Sequence, residues 1–165
     1  MLRCASYDIV FQEVPGEITL ALNISGCPYR CRGCHSPHLH GNIGEELSES
    51  LLDSLLDAYG ASITCICFMG GDGAPHEVLS LARYARRRTA KTAWYSGNTQ
   101  VYDGAQLCFD YIKLGGYVEE LGGLKSPHTN QRLYRIDNGQ MFDITATLCR
   151  PTAYLKNIPL IDSLL

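Results

Sequence analysis

The sequence predicts an α/β fold: a partial, open (β/α) barrel with a mostly parallel sheet, an N-terminal hairpin or edge strand and a C-terminal β-hairpin. Three observations lead there. Ile63-Thr64-Cys65-Ile66-Cys67-Phe68-Met69 is a continuous apolar run of strand length, the pattern of a strand covered on both faces, and it ends at Gly70-Gly71-Asp72-Gly73. The order of strand, glycine loop and helix then repeats: Thr92-Ala93-Trp94-Tyr95-Ser96 ends at Gly97-Asn98, and Phe109-Asp110-Tyr111-Ile112-Lys113-Leu114 ends at Gly115-Gly116. Too few such units are present to close an eight-stranded barrel, so the sheet is expected to stay open.

Each element has a local reason. Residues 7–14 and 17–24 read as strands separated by Pro15-Gly16, a pair suited to a type II turn because proline presets φ and glycine accepts a positive φ. After a cysteine-rich loop, Leu47, Leu51, Leu52, Leu55, Leu56 and Tyr59 recur at spacings of three and four, one apolar helix face that Gly60 can end. A second helix is expected after Pro75, with Val78, Leu81, Ala82 and Ala85 inward. Alternating strands and helices imply right-handed crossovers, which gather the strand-end loops at one edge, where ligands collect. At the far end, residues 133–136 and 140–144 flank Asp137-Asn138-Gly139, a hairpin signal.

Composition narrows the function classes. The 165 residues, read as a single domain over 1–165, are 45% hydrophobic and 19% charged, which suits a globular core. A net charge of −3 gives no general field for nucleic acid or an anionic membrane. The short basic run Arg86-Arg87-Arg88, followed by Lys91, reads as a solvated helix end. The N-terminus lacks a charged region followed by a long apolar stretch, and no membrane-length apolar run occurs, so a cytoplasmic location with reduced thiols is expected. Of the eight cysteines, Cys4, Cys65, Cys67, Cys108 and Cys149 read as small buried hydrophobes.

The other three stand at Cys27-x3-Cys31-x2-Cys34. Thiols this close cannot all pair with one another, and an odd number leaves one over, so a shared metal centre is the economical reading. Structural zinc wants four protein ligands, usually from two separated pairs, whereas a cubane iron–sulfur cluster has four irons each needing a ligand. Three thiolates leave one iron open. His35, His38 and His40 keep a zinc alternative in view, although His35 directly beside Cys34 makes poor tetrahedral geometry.

The string Cys27-Pro28-Tyr29-Arg30-Cys31-Arg32-Gly33-Cys34-His35-Ser36-Pro37 resembles the radical S-adenosylmethionine (SAM) superfamily, and within it the activating proteins of anaerobic ribonucleotide reductase. Val14-Pro15-Gly16-Glu17, Gly70-Gly71-Asp72 and Thr129-Asn130-Gln131-Arg132 are similar to the same branch. Gly33 stands where most of the superfamily has an aromatic residue, and the Gly-Cys-His form is that of the reductase-activating branch. The resemblance implies a barrel of the radical SAM type and a [4Fe-4S] cluster on Cys27, Cys31 and Cys34 whose open iron is chelated by SAM. Reduction of SAM would yield a 5′-deoxyadenosyl radical that abstracts hydrogen from a glycine of the reductase. Only glycine lacks the side chain that would crowd the resulting planar radical, and because the abstracting radical belongs to the cofactor no catalytic side-chain base is expected.

The resemblance further implies roles at the strand ends. Gly70 and Gly71 would let backbone approach the SAM amino-acid moiety, with Asp72 helping to hold it; Ser96, Asn98 and Lys113 are candidate ribose or carboxylate contacts. Asn130, Gln131 and Arg132, in a long polar loop, would line the site or guide the glycine loop of the partner. Expected partners are the glycyl-radical subunit of the reductase and an electron donor such as a flavodoxin or ferredoxin. Two rivals are a radical SAM enzyme acting on a small molecule and a metal-stabilised interaction module without catalysis. Little chain remains after the SAM site to build a small-molecule pocket.

Overall fold

The computed structural model describes residues 1–88 and 91–148, so Cys149 lies outside the described residues. Its framework is one eight-stranded sheet built from β1 (Arg3–Val10), β2 (Thr19–Ile24), β3 (Glu45–Glu46), β4 (Cys65–Met69), β5 (Lys91–Tyr95), β6 (Tyr111–Leu114), β7 (Arg132–Asp137) and β8 (Gln140–Asp143). The strands lie in the order β3-β1-β2-β4-β5-β6-β7-β8.

This corrects the expected mostly parallel (β/α) barrel. Only the pairings β2·β4, β4·β5 and β5·β6 are parallel, while β1·β2, β1·β3, β6·β7 and β7·β8 are antiparallel. Among the described residues two α-helices occur, α1 (Glu49–Tyr59) and α2 (Pro75–Arg86), so the fold is a mixed, mainly β sheet. The physical reason lies in the connections. The link from β5 to β6 carries a 3-10 turn at Ala105–Leu107 instead of a helix, and antiparallel strands close both ends of the sheet. With so few crossover helices, nothing drives the sheet round into a barrel.

The two helices have clear local causes. The Ser48 side chain accepts a hydrogen bond from the Leu51 amide (3.2 Å) and so caps α1, whose Leu52, Leu55 and Leu56 are buried. Pro75 opens α2, where a missing amide costs nothing, and Val78, Leu79, Leu81, Ala82 and Ala85 are buried. These residues pack on Leu20, Leu22, Ile66, Phe68, Trp94 and Ile112 from one face of the sheet. Each fully buried large apolar side chain contributes about 1.5–3 kcal/mol. At Pro15-Gly16 the chain turns with Gly16 at φ +80° and a Glu17 amide to Val14 carbonyl bond of 3.1 Å. Asn138 and Gly139, both at positive φ, form the turn between β7 and β8.

The opposite face is thinly covered. Cys65, Cys67, Ala93 and Tyr111 point there and pack with Val14, Met69, Tyr95 and Ile144. Because side chains alternate along each strand, the register sets Asn23, Met69, Tyr95 and Lys113 in one row on that same face, at the carboxyl ends of the parallel strands.

At the amino ends of the same strands sits a polar pin. The buried Glu17 carboxylate accepts from the Thr64 hydroxyl (2.6 Å), the Tyr111 hydroxyl (2.9 Å) and Lys91. Burial raises the carboxyl pKa, but these donors outweigh it and hold the group below the usual carboxylate range.

Candidate iron–sulfur site

The three clustered cysteines lie on the loop that leaves β2, and each is half-buried. The loop is shaped by positive φ at Gly26 (+77°), Arg30 (+47°) and Gly33 (+70°), which let the backbone double back within a few residues. It is pinned to the following segment: the Gly26 amide bonds the Gly41 carbonyl (2.9 Å) and the Cys27 amide bonds the Leu39 carbonyl (3.1 Å). Within the loop the Cys34 amide reaches the Cys31 carbonyl (3.2 Å), and the Ser36 amide points at Cys34 Sγ (3.4 Å). A sulfur can accept a hydrogen bond from such an amide, and the thiolate is the form that ligates metal.

Two glycines on other loops seat this one. A Cβ at Gly116 would come within 3.2 Å of Cys31 Sγ, and a Cβ at Gly97 would overlap the Tyr29 ring. The loop after β6 therefore lies against Cys31 Sγ and the loop after β5 against Tyr29. Neither contact has a signal in the sequence beyond a glycine at a strand end.

Among the described residues, no three His, Cys, Asp or Glu side chains stand together tightly enough to hold one metal ion. His35 packs edge-on against Tyr117 (5.4 Å between ring centres). His38 and His40 belong to the 3-10 turn Pro37–His40, and the His40 Nε2 atom is buried without a partner. This is not the closed tetrahedral set that structural zinc uses. A cubane presents its irons at separate corners, so it takes thiolates spread along a loop, and three half-buried thiols beside a sulfur-directed amide suit it.

The other described cysteines are of a different kind. Burial pushes the Cys4 thiol to about 11 and Cys65 to about 12, and Cys67 goes well above its ordinary value for the same reason. They are core residues, as is the buried Cys108.

The row Asn23, Met69, Tyr95, Lys113 floors a cavity of ≈ 320 Å³ that Cys34 and His35 border from the cysteine loop. Lys113 is buried, and its Nζ donates to the carbonyls of Gly115 (2.6 Å) and Ser96 (3.3 Å). Desolvation pulls its pKa down to about 8, opposed by the charges of Asp72, Cys31 and Cys27. An adjoining hollow of ≈ 520 Å³ shares His35, Met69, Tyr95 and Leu124 and runs out to Gln12 and Lys125. A hollow of ≈ 560 Å³ around Phe11, Pro15 and Leu148 has no thiol in its wall.

The remaining strand-end residues are largely occupied with one another. The Gly70 amide bonds the Tyr95 carbonyl (2.9 Å) and its carbonyl accepts from the Trp94 indole (2.8 Å). Gly71, at φ +86°, lies so close to Val78 that a Cβ would meet it at 2.5 Å. Asp72 accepts from the Ser96 hydroxyl and the Gly97 amide, and Ser96 Oγ accepts from the Asn98 amide (3.0 Å). Asn98 is exposed and its Oδ1 caps the Thr99 amide (2.8 Å).

The structure divides the trio 130–132. Gln131 is buried and lines the cavity beside Cys34. Asn130 donates to the Gly116 carbonyl (3.0 Å), and Arg132 donates to the carbonyls of Thr129 (2.8 Å) and Gln131 (2.9 Å); both border a separate hollow of ≈ 70 Å³. Met69, Tyr95 and Tyr117 complete the cavity wall without having been singled out by any motif, although Met69 and Tyr95 end strands.

No described helix is long and apolar enough to cross a membrane. No curated protein and no solved structure matches the chain. The 4Fe-4S single cluster domain family matches residues 14–108, which include all three clustered cysteines and make up more than half of the chain. With that match over a loop of three half-buried thiols, this chain belongs to the 4Fe-4S single cluster domain family and is an iron–sulfur protein.

Proposed function

We propose that this chain is an activating enzyme that uses a [4Fe-4S] cluster and SAM to install a glycyl radical in anaerobic ribonucleotide reductase. The observation that carries the reading is the Cys27, Cys31, Cys34 loop beside the cavity floored by Asn23, Met69, Tyr95 and Lys113. The other described cysteines are buried in the core, so this loop offers three thiolates to a cluster that needs four ligands. The fourth position is then free for SAM, whose reductive cleavage is the chemistry the bound cluster would supply.

The chain's own residues would bind, orient and exclude water. Lys113 is an ammonium with one N–H left over after its two carbonyls, suited to a carboxylate at the cavity floor. Gln131 offers an amide in the wall of the same cavity. Asp72, Ser96 and Asn98 would act by holding the strand-end loops in place, since their polar atoms are bonded to one another and to nearby amides. The hollow leading to Gln12 and Lys125 supplies room for a glycine-bearing segment of the reductase, and Asn130 and Arg132 would guide that segment from outside. A flavodoxin or ferredoxin would deliver the electron.

One observation favours a second reading, a cluster-stabilised interaction module without catalysis. The Gly70, Asp72 and Ser96 groups that would greet SAM already have partners. The deciding experiment is anaerobic: iron and sulfide per chain for wild type and Cys31→Ala, then 5′-deoxyadenosine release with the reductase and with its Gly-to-Ala radical-site variant. About four irons per chain, lost in Cys31→Ala, with release that depends on the glycine, supports the activase. Iron without release, and no spectral response to SAM, supports the module.

A further inference from the structure

Three residues of the segment after β6 touch the cysteine loop. Gly116 lies against Cys31 Sγ, leaving 3.2 Å for a Cβ that glycine lacks. Tyr117 meets the His35 ring edge-on at 5.4 Å. The Glu119 carboxylate pairs with Arg32 Nε at 3.1 Å, and the same side chain lies 3.1 Å from where a Cβ of Gly33 would stand. The strap is braced from behind: Asn130 holds the Gly116 carbonyl, and Val118 bonds the Gly122 amide (3.0 Å) to close a turn.

These contacts fall on residues 31, 32, 33 and 35, so they run across the second half of the thiol loop. Glycine at position 33 suits its φ of +70°, and it also leaves room for the Glu119 side chain, which a Cβ there would crowd at 3.1 Å. One polar latch is in water, with Arg32 87% and Glu119 48% exposed, so it opens at little cost. The ring pair and the sulfur contact involve no ion pair and fall on Cys31 itself and on the neighbour of Cys34.

We propose that residues 116–119 form a strap that positions Cys31 and Cys34 and restricts the access of small solutes to the cluster, with Glu119 as its latch. The inference rests on the proposal that Cys27, Cys31 and Cys34 hold the cluster. Glu119 and Tyr117 are positioning residues, since neither is assigned a bond to the cluster or to substrate.

The test measures iron extraction. The cluster-loaded protein is mixed anaerobically with excess bipyridyl, and decay of the visible iron–sulfur band is followed for wild type, Glu119→Gln, Arg32→Gln and Tyr117→Ala. Loss of a surface ion pair is expected to accelerate decay about twofold to fivefold in Glu119→Gln and in Arg32→Gln. Tyr117→Ala is expected to decay faster still. High salt should bring wild type toward the Glu119→Gln rate while leaving Glu119→Gln unchanged, because the latch is screened. Iron per chain before extraction should equal wild type in the two latch variants. Equal decay rates in all four proteins, or a salt effect that survives in Glu119→Gln, overturns the strap. If wild type binds iron and Cys31→Ala does not, such a result leaves the cluster assignment standing; if wild type binds none, both fall together.

Discussion

The Asp72 carboxylate accepts hydrogen bonds from the Ser96 hydroxyl and from the Gly97 amide (3.1 Å), so one side chain ties the loop after β4 to the loop after β5. Ser96 is 2% exposed, which shields this tie from water. Removing Asp72 would strand two donors, at a cost of about 1–3 kcal/mol each before water enters. Asp72→Ala is expected to lower the urea midpoint, and Ser96→Ala to lower it less. In the double variant the loss should be smaller than the sum, because both single changes break one shared bond. Additive losses in the cycle would mean that the tie carries no energy.

Gly97 gives a second prediction. A methyl group there overlaps the Tyr29 ring, so Gly97→Ala is expected to push Tyr29 off its seat and lower anaerobic iron content. Overpacking of this kind costs about 1–3 kcal/mol. Gly123→Ala is the control, because nothing lies within 4 Å of its Cβ position and its φ is ordinary. Iron per chain and thermal midpoints for the pair decide it: iron should fall in Gly97→Ala alone.

Glu17 makes part of the stability sensitive to acid. Its carboxyl pKa is held below the ordinary 4.5, so its contribution is complete above pH 4.5 and is lost as pH falls through the lower folded value. Lys91 has the opposite sign. The Glu17 hydrogen bond raises it above 10.5, so its share is complete below that value and lost only at higher pH. Glu17→Gln is therefore expected to cost about 1–3 kcal/mol at pH 7 and progressively less toward pH 3, read from urea unfolding across that range. A constant difference between the two proteins at all pH values would remove the assigned cause.

Lys113 works the other way in cluster-free protein. Its folded pKa near 8 lies under the ordinary 10.5, so between those values the unfolded chain holds a proton that the folded chain has released. Stability of wild type relative to Lys113→Met should rise as pH climbs from 8 to 10.5 and level off outside that window. Denaturation at stepped pH checks the direction. A flat difference would place the Lys113 ammonium in water.

Thiol chemistry separates the two groups of cysteines. Thiolates react and thiols do not, so Cys65, pushed to about 12, and Cys4, pushed to about 11, should resist iodoacetamide at pH 8 in cluster-free protein. Cys31 and Cys34, half-buried on the loop, should label first. Peptide mapping by mass spectrometry gives the order directly, and early labelling of Cys65 would show that the sheet opens.

Much of the local structure is legible in the chain. The leucine spacing before Gly60 and the apolar run 63–69 mark α1 and β4 because burial imposes a period on sequence. Pro15-Gly16 and Asn138-Gly139 mark turns because few other residues accept their backbone angles. The barrel expectation failed because the strand-end turns Gly97-Asn98 and Gly115-Gly116 look alike whether a helix follows or not. After Asn98 the chain makes only a 3-10 turn before β6.

By itself the sequence determined the chemistry on offer: three thiols within eight residues and no second, separated ligand pair of the kind structural zinc usually draws on, a matter of covalent spacing that folding does not change. Only the tertiary structure decided that Asn23, Met69, Tyr95 and Lys113 share one row beneath those thiols, that Asp72 and Ser96 spend their polar groups on each other, and that Gly116 rather than a bulkier residue meets Cys31. Strand register and loop packing bring together residues far apart along the chain, and no local pattern of side chains encodes which of them will meet.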